Sequence, residues 1–315
     1  MQVSRDVPLS RHTRFAIGGP AAILAATHSA ETFIAALEAV RESGLDHAVI
    51  GDGTNLIVSD EGFPGVVLRF GADRILAAGT RVMADAGAPL QAVVDFAIAR
   101  GLRGIETMTG IPGSTGGAIY GNAGAYGQSI SERLLRVRFY DGAAVRWIDN
   151  DGCEFHYRES VFKRNKNWII FSAELLLDAG EPAELRRKAQ EILAIRNVKY
   201  PPSMKCAGSI FKNLLLAELP AEAAAAVPRA VIREGKVPSA WFLEQAGAKG
   251  LARGDIHVAD YHANLVYNAG AGTAADLCAL IGELKTRVRD RFGLVLEEEV
   301  QYVGFAGTSV TPAAW

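Results

Sequence analysis

Residues Gly110–Gly127 read GIPGSTGGAIYGNAGAYG, a stretch able to lay bare backbone against a ligand. Seven of its eighteen positions are glycine, where ordinary usage of roughly 7% would supply about one. Ile111, Pro112, Ile119, Tyr120, Asn122 and Tyr126 stand between the glycines, so this is no flexible linker. Glycine at this density lets main chain approach a flat or phosphorylated group and offers unshielded N–H donors. A second segment, Ala48–Asp60 (AVIGDGTNLIVSD), sets Gly51, Gly53, Thr54 and Asn55 between two apolar runs. It lacks the third glycine and the following helix of a Rossmann turn. A strand–turn–strand can still hold a pyrophosphate in a nest of successive N–H groups. The pair suggests two loops gripping one long nucleotide cofactor; the plainer alternatives are a run of tight turns for the first and an ordinary hairpin connection for the second.

Other chemistries find less support. The six histidines include no H-E-x-x-H spacing, so no metal is expected. Cys153, Cys206 and Cys278 are scattered and odd in number, which fits reduced thiols and gives neither a disulfide frame nor a zinc site. A net charge of −2 at pH 7 provides no basic footprint for nucleic acid. No apolar run reaches the ~20 residues of a membrane span, and MQVSRDVPLS has no apolar signal core. A cytoplasmic protein with no membrane partner is therefore expected. At 315 residues the chain can form two or three domains around a sizeable core.

Short strands and capped helices must position the two loops. Ser29 precedes a helical pattern with Phe33, Leu37 and Val40 inward, stopped by Gly44. Pro89–Arg100 repeats it with Leu90, Val93, Val94 and Ala97, ended by Gly101. Strands are expected on both sides of the Gly51–Asn55 turn, over Gly65–Arg69, Leu134–Phe139 and Trp168–Leu177. A charged helix over Leu185–Arg196 ends in a boundary near residue 195, before Tyr200-Pro201-Pro202. A last helix starts at Thr273, with Thr273 and Asp276 as a capping box, Leu277, Leu280, Ile281, Leu284 and Val288 inward, and Gly293 as its stop. Residues 306–315 read as a loose tail.

In order along the chain come TRFAIGGPA (13–21), IGDGTNLIVSDEGFPGVVLR (50–69), the 110–127 segment, YRESVFK (157–163), AGSIFKN (207–213), HANLVYNAGAGTAAD (262–276) and LEEEVQYVG (296–304). In these motifs the chain closely resembles the UDP-N-acetylenolpyruvoylglucosamine reductase family, flavoenzymes that complete UDP-N-acetylmuramate for peptidoglycan. It looks like the shorter subclass, with no long insertion between Phe162 and Ser209. Three positions depart from the commoner pattern: Thr54 for serine, Leu265 for phenylalanine, and Gln301 where arginine often follows Glu-Val.

The resemblance implies an α+β chain: a two-part FAD-binding fold of the vanillyl-alcohol-oxidase / PCMH type plus a C-terminal α/β substrate-binding domain. The divisions would be 1–70 and 71–195 for the two FAD-binding parts, 196–305 for the substrate domain, and 306–315 for the tail. FAD would be non-covalent. Gly51, Gly53, Thr54, Asn55 and Leu56 would grip its pyrophosphate. Gly110, Ile111, Pro112, Gly113, Ser114, Gly117, Asn122, Gly124 and Ala125 would lie along the flavin. NADPH would be the co-substrate.

The implied reaction passes hydride from flavin N5 to the terminal carbon of an enolpyruvyl ether and protonates the neighbouring carbon. It therefore needs a stabilised enolate oxygen and a proton donor. Ser209 matches the family's proton-donating serine, Arg158 the arginine that pairs with the substrate carboxylate, and Glu299 the catalytic glutamate, as orienter or as acid. Local sequence alone would make them a turn serine, a surface arginine paired with Glu159 or Glu154, and part of a solvated Glu297–Glu299 face. Tyr126, Lys199, Lys212 and Asn213 are carried over as contacts to the nucleotide sugar. The alternatives are a flavin oxidase of the same fold, or a non-catalytic nucleotide-sugar-binding module.

Overall fold

The computed structural model describes residues 1–305 and the short strand Ala313–Ala314. The expected tail otherwise lies outside the described residues. Five strands form the first sheet in the order Gln2–Pro8, Pro20–Thr27, Phe63–Phe70, His47–Ile50, Ala313–Ala314. The first pair is antiparallel and the others are parallel. Phe63–Phe70 runs through the interior, and Val66, Val67 and Leu68 are all buried, as a parallel strand covered on both faces requires.

The second sheet is antiparallel, ordered Val145–Asp149, Leu134–Tyr140, Ile169–Leu176, Arg81–Asp85, Ile75–Ala78. Its interior strand Ile169–Leu176 is largely buried, whereas the edge strand Val145–Asp149 is solvated and carries Arg146 and Asp149. Helix Ala30–Glu42 joins the two sheets. Ser29 caps it by accepting from Thr32 N at 3.3 Å. Phe33 on its inner face meets Phe70 of the first sheet and Phe171 of the second edge-to-face, with centroids 6.0 and 5.8 Å apart.

Helix Leu90–Ala99 forms as expected, closed by Gly101 at φ +66°. The charged helix runs over Pro182–Lys199, so the chain breaks at Tyr200-Pro201, later than residue 195. Within Gly110–Gly127 the structure holds a six-residue helix, Thr115–Tyr120, where only turns and close approaches were expected. Ser114 starts it by accepting from Gly117 N at 3.2 Å, and that cap offsets the poor helix propensity of Gly116 and Gly117.

The C-terminal third packs helices Ser239–Gln245 and Ala274–Phe292 on an antiparallel sheet of Ala252–Arg253, Ile256–Ala259 and His262–Asn268. Thr273 caps the long helix by accepting from Asp276 N at 3.0 Å, and Gly293 ends it in the left-handed region. Asp60 adds a second cap from 214 residues away, accepting from Ala274 N at 2.8 Å and Ala275 N at 2.9 Å.

Packing crosses the divisions expected at residues 70 and 195. The C-terminal core takes in Phe15, Ile17 and Ile57, and strand Gln301–Val303 pairs parallel with Leu56–Val58. Because Phe33 closes the seam between the two N-terminal sheets, Phe33→Ala should destabilise the protein by roughly 3–5 kcal/mol. Chemical denaturation would read this as a lower midpoint at unchanged slope; a shift of a few tenths would mean the seam does not depend on that ring.

Candidate active site

The turn after strand His47–Ile50 is built for close approach. Gly53 has φ +65°, and a Cβ there would lie 1.8 Å from His12 O. The N–H groups of Asp52, Gly53, Thr54 and Asn55 have no acceptor among the described residues, which leaves a nest of donors. Facing it, Gly113 sits at φ +111°, where a Cβ would lie 2.7 Å from Thr54 Oγ1. Thr54 Oγ1 in turn makes a long 3.5 Å contact to Pro112 O. Gly113 and Ser114 also keep free N–H groups among the described residues. Buried Asn122 Oδ1 has no partner among the described residues, while its Nδ2 donates to His156 O at 2.8 Å. These spare donors and the spare acceptor fit a phosphorylated, heterocyclic cofactor such as FAD.

A cavity of about 320 Å³ adjoins this turn, lined by Arg11, His12, Thr13, Arg14, Gly51, Asp52 and Arg69. Asp52 binds Arg69 at 2.6 Å. The arginines were not singled out in the sequence, although Arg14 and Arg69 lie inside quoted motifs. Leu56 is buried at the start of its strand, which puts its side chain in the core. Asn55 spends its side chain on the fold, donating to Glu299 O at 2.9 Å, and its own carbonyl accepts from Gln301 N.

Arg158 stands on a tight turn in which His156 and Glu159 exchange N–H···O bonds of 3.1 Å. Its φ is +58°, a left-handed conformation costing about 1–2 kcal/mol for a non-glycine residue. Ser160 anchors the turn by donating to Tyr120 O at 2.7 Å. Arg158 Nε donates to Glu299 Oε1 at 2.7 Å and Nη2 to Gly124 O at 3.2 Å. Both side chains are about three-quarters buried, at 23% and 24% exposure. Burial alone would make the guanidinium easier to deprotonate; Glu299, with Tyr157 and Tyr200 beside it, outweighs burial and raises its pKa.

Ser209 follows Gly208, which lies at φ +81°, and its segment bridges antiparallel to Leu265. Asn264 fixes the register. Its side chain accepts from Phe211 N at 2.9 Å and donates to Phe211 O at 2.8 Å, and its backbone carbonyl accepts from Ile210 N. Tyr200 Oη lies 3.4 Å from Ser209 Oγ. On the other side Glu299 N donates to Ile210 O at 2.7 Å, so Ser209 and Glu299 sit on paired segments. The structure thus brings Ser209, Arg158 and Glu299 together.

The three consecutive glutamates go three ways: Glu297 to Lys212, Glu298 to Lys285 at 2.8 Å, and Glu299 to Arg158. Lys212 is buried at 8% exposure and also bonds Glu159 at 2.6 Å. Its amine is committed to carboxylates. Burial would lower its pKa, but Glu159 and Glu297 hold it above the usual lysine range. Tyr126 is exposed at φ +54°, and Lys199 Nζ lies 5.1 Å from the Tyr200 ring. Asn213 uses Oδ1 on Ser239 N and its N–H on Tyr157 Oη. Tyr200, Asn264 and Glu159 were missed as parts of the site. The last two lay inside quoted motifs, while Tyr200 had been read only as a helix breaker. Burial raises the Cys206 thiol's pKa, which suits packing rather than attack.

Against known proteins, residues 200–303 match the family model of the UDP-N-acetylenolpyruvoylglucosamine reductase C-terminal domain, and residues 20–146 match an FAD binding domain. The chain is 63% identical over 304 residues to the UDP-N-acetylenolpyruvoylglucosamine reductase of Solibacter usitatus, covering 96% of this chain and 97% of that one. It is 34% identical over 306 residues to the reductase of that name from Bacillus velezensis, covering 96% and 94%. The crystal structure of the Thermus caldophilus reductase superposes with a TM-score of 0.74 at 28% identity, over 96% of this chain and 99% of that one.

His262 packs near Tyr200, with ring centroids 6.4 Å apart. Burial and the neighbouring Lys199 cation push its pKa down from 6.5 to about 4. The unfolded chain therefore takes up this proton first, and the residue's contribution to stability is complete above pH 6.5 and lost as pH falls toward 4. The slope is at most about 1.4 kcal/mol per pH unit. Thermal melts of wild type and His262→Gln should converge as pH falls through that window; a constant gap would show that the folded state does not hold the imidazole neutral.

Proposed function

The chain belongs to the UDP-N-acetylenolpyruvoylglucosamine reductase family, and from that premise we propose that Ser209, Arg158 and Glu299 carry its reaction. The protein is an FAD-dependent oxidoreductase of α+β fold that reduces the enolpyruvyl ether of a UDP-sugar in peptidoglycan precursor synthesis. FAD, when bound, would supply the hydride chemistry for the terminal carbon of the enolpyruvyl group, with NADPH as its reductant. Residues 1–70 and 71–195 hold FAD in this reading, and 196–305 bring the nucleotide sugar.

The observation that carries the assignment is the 2.7 Å pair between Arg158 and Glu299, set beside Ser209 by the Glu299 N–Ile210 O bond. Hydride addition to the enol ether pushes electron density onto the substrate carboxylate. Arg158 meets that charge with a cation that stays protonated, and Glu299 orients it through Nε. Nη1 keeps its hydrogen-bonding capacity among the described residues, available to a carboxylate. Ser209, uncharged before the step, donates the proton to the carbon beside the ether oxygen, and the alkoxide left behind is reprotonated from water. Gly51, Gly53, Thr54 and the N–H groups of Gly113 and Ser114 fit the pyrophosphate, while Gly110–Ala125 fits the flavin. Tyr126, Lys199 and Asn213 remain candidates for the sugar nucleotide. Cys153, Cys206 and Cys278 are free thiols, which supports placing the reaction in the cytoplasm.

Ser209→Ala should leave anaerobic flavin reduction by NADPH nearly intact and slow reoxidation by UDP-N-acetylglucosamine enolpyruvate roughly 10²–10⁴-fold. Equal losses in both half-reactions would make Ser209 a structural residue. Glu299→Gln should slow the substrate half-reaction roughly 10–100-fold by loosening Arg158. Glu298→Gln, whose carboxylate meets Lys285 and the Tyr302 hydroxyl rather than Arg158, should stay close to wild type; equal damage from both would remove Glu299 from the mechanism.

A further inference from the structure

Lys212 lies three residues after Ser209 on the same extended segment, and its amine meets two carboxylates, Glu159 and Glu297. Burying an ammonium at 9% side-chain exposure is costly unless it is paired, and here it is paired twice. Glu159 closes the turn that presents Arg158, through its reciprocal bonds with His156. Lys163 grips the same turn, donating to Glu159 Oε1 at 2.9 Å and to Arg158 O at 3.0 Å. Two lysines therefore grip the C-terminal side of a left-handed Arg158, Lys163 through the Arg158 carbonyl and the Glu159 carboxylate, and Lys212 through that same carboxylate. Lys212 is the one that comes from the opposite segment: its N–H donates to Glu297 O at 2.9 Å, within the ladder that carries Glu299.

We propose that Lys212 is a positioning residue, acting through Glu159 to lock the Arg158 turn onto the segments that carry Ser209 and Glu299. This replaces the sequence-based reading of Lys212 as a contact to the substrate diphosphate, and it rests on the catalytic roles argued above. The geometry explains why a single Arg158–Glu299 pair need not hold the turn by itself. It also explains the type of residue: a four-carbon stem packed across the interface with three N–H donors at its tip.

The two roles separate by ligand. UDP carries the diphosphate without the enolpyruvyl carboxylate, so its affinity reports direct contact, while flavin reoxidation by the full substrate reports Arg158 placement. For Lys212→Met holoenzyme, UDP affinity and the NADPH half-reaction should stay within about two-fold, and the maximal rate of reoxidation should fall roughly 10–100-fold. Lys212→Arg should restore most of that rate. Glu159→Gln should show the same split, and combining it with Lys212→Met should add little, since both act through one contact. Lys212→Met that weakens UDP binding at an unchanged maximal rate would return the residue to the diphosphate. A wild-type rate in both Lys212→Met and Glu159→Gln would overturn the lock. If Lys212→Met fails to fold, Glu159→Gln and Lys212→Arg decide by the same readouts. Wild-type enzyme reoxidised by the substrate keeps the family reaction intact whichever way Lys212 falls.

Discussion

The segment 297–303 is the constraint on which the site depends, because its two halves pair with different parts of the chain. Its first half ladders antiparallel with residues 210–212 through the Phe211–Glu298 bridge and the bonds at Ile210 and Lys212. Its second half, Gln301–Val303, runs parallel to Leu56–Val58. Asn55 closes the junction with its side chain on Glu299 O and its carbonyl on Gln301 N. The Gly51–Asn55 turn and the segment that bears Glu299 are thus one hydrogen-bonded unit. A shift of one residue in this segment would turn Glu299 from Arg158 and put Glu298 or Val300 in its place.

Electrostatics then decides which parts of this unit are rigid. Glu159, Lys163 and Lys212 form a chain of alternating charge between the Arg158 turn and the Ser209 segment. Lys163 pays the desolvation most plainly: burial and the nearby Lys212 cation lower its pKa, with Glu159 opposing them. Burial alone would push Glu159 up, but its hydrogen bonds from Lys212 and Lys163 hold it down. Such a cluster adds little net stability over an apolar substitute, yet removing one member leaves the others uncompensated. Its value lies in specifying one arrangement of the turn, which a left-handed Arg158 would not adopt unaided.

Sequence made the local elements legible and the joins between them illegible. Ser29, Thr273, Gly101 and Gly293 announced helix ends because caps act within four residues. The helix Thr115–Tyr120 stayed hidden, since two adjacent glycines argue against helix until Ser114 and its packing outweigh them. Asp60, Asn264 and Lys212 belonged to recognisable motifs, but their partners lie 214, 53 and 53 or 85 residues away. Neither periodicity nor composition encodes such pairings. Lys212 shows the consequence most directly: a lysine in a motif suggests a phosphate, and only the fold reveals two carboxylates already in place.

The same distinction accounts for the positions at which this chain departs from the commoner pattern. Leu265 is fully buried opposite Ser209, so its change from an aromatic residue is a matter of packing beneath the site. Thr54 keeps the hydroxyl that reaches Pro112 O, and its N–H stays in the nest. Gln301 joins the Gly51–Asn55 turn through its main-chain N–H, a bond that any residue except proline can make. Among the described residues its side chain makes only long 3.5 Å contacts, to Glu299 O and Val300 O. What the position supplies to the clasp is backbone, which leaves the side chain free to differ without moving Glu299 or Asn55.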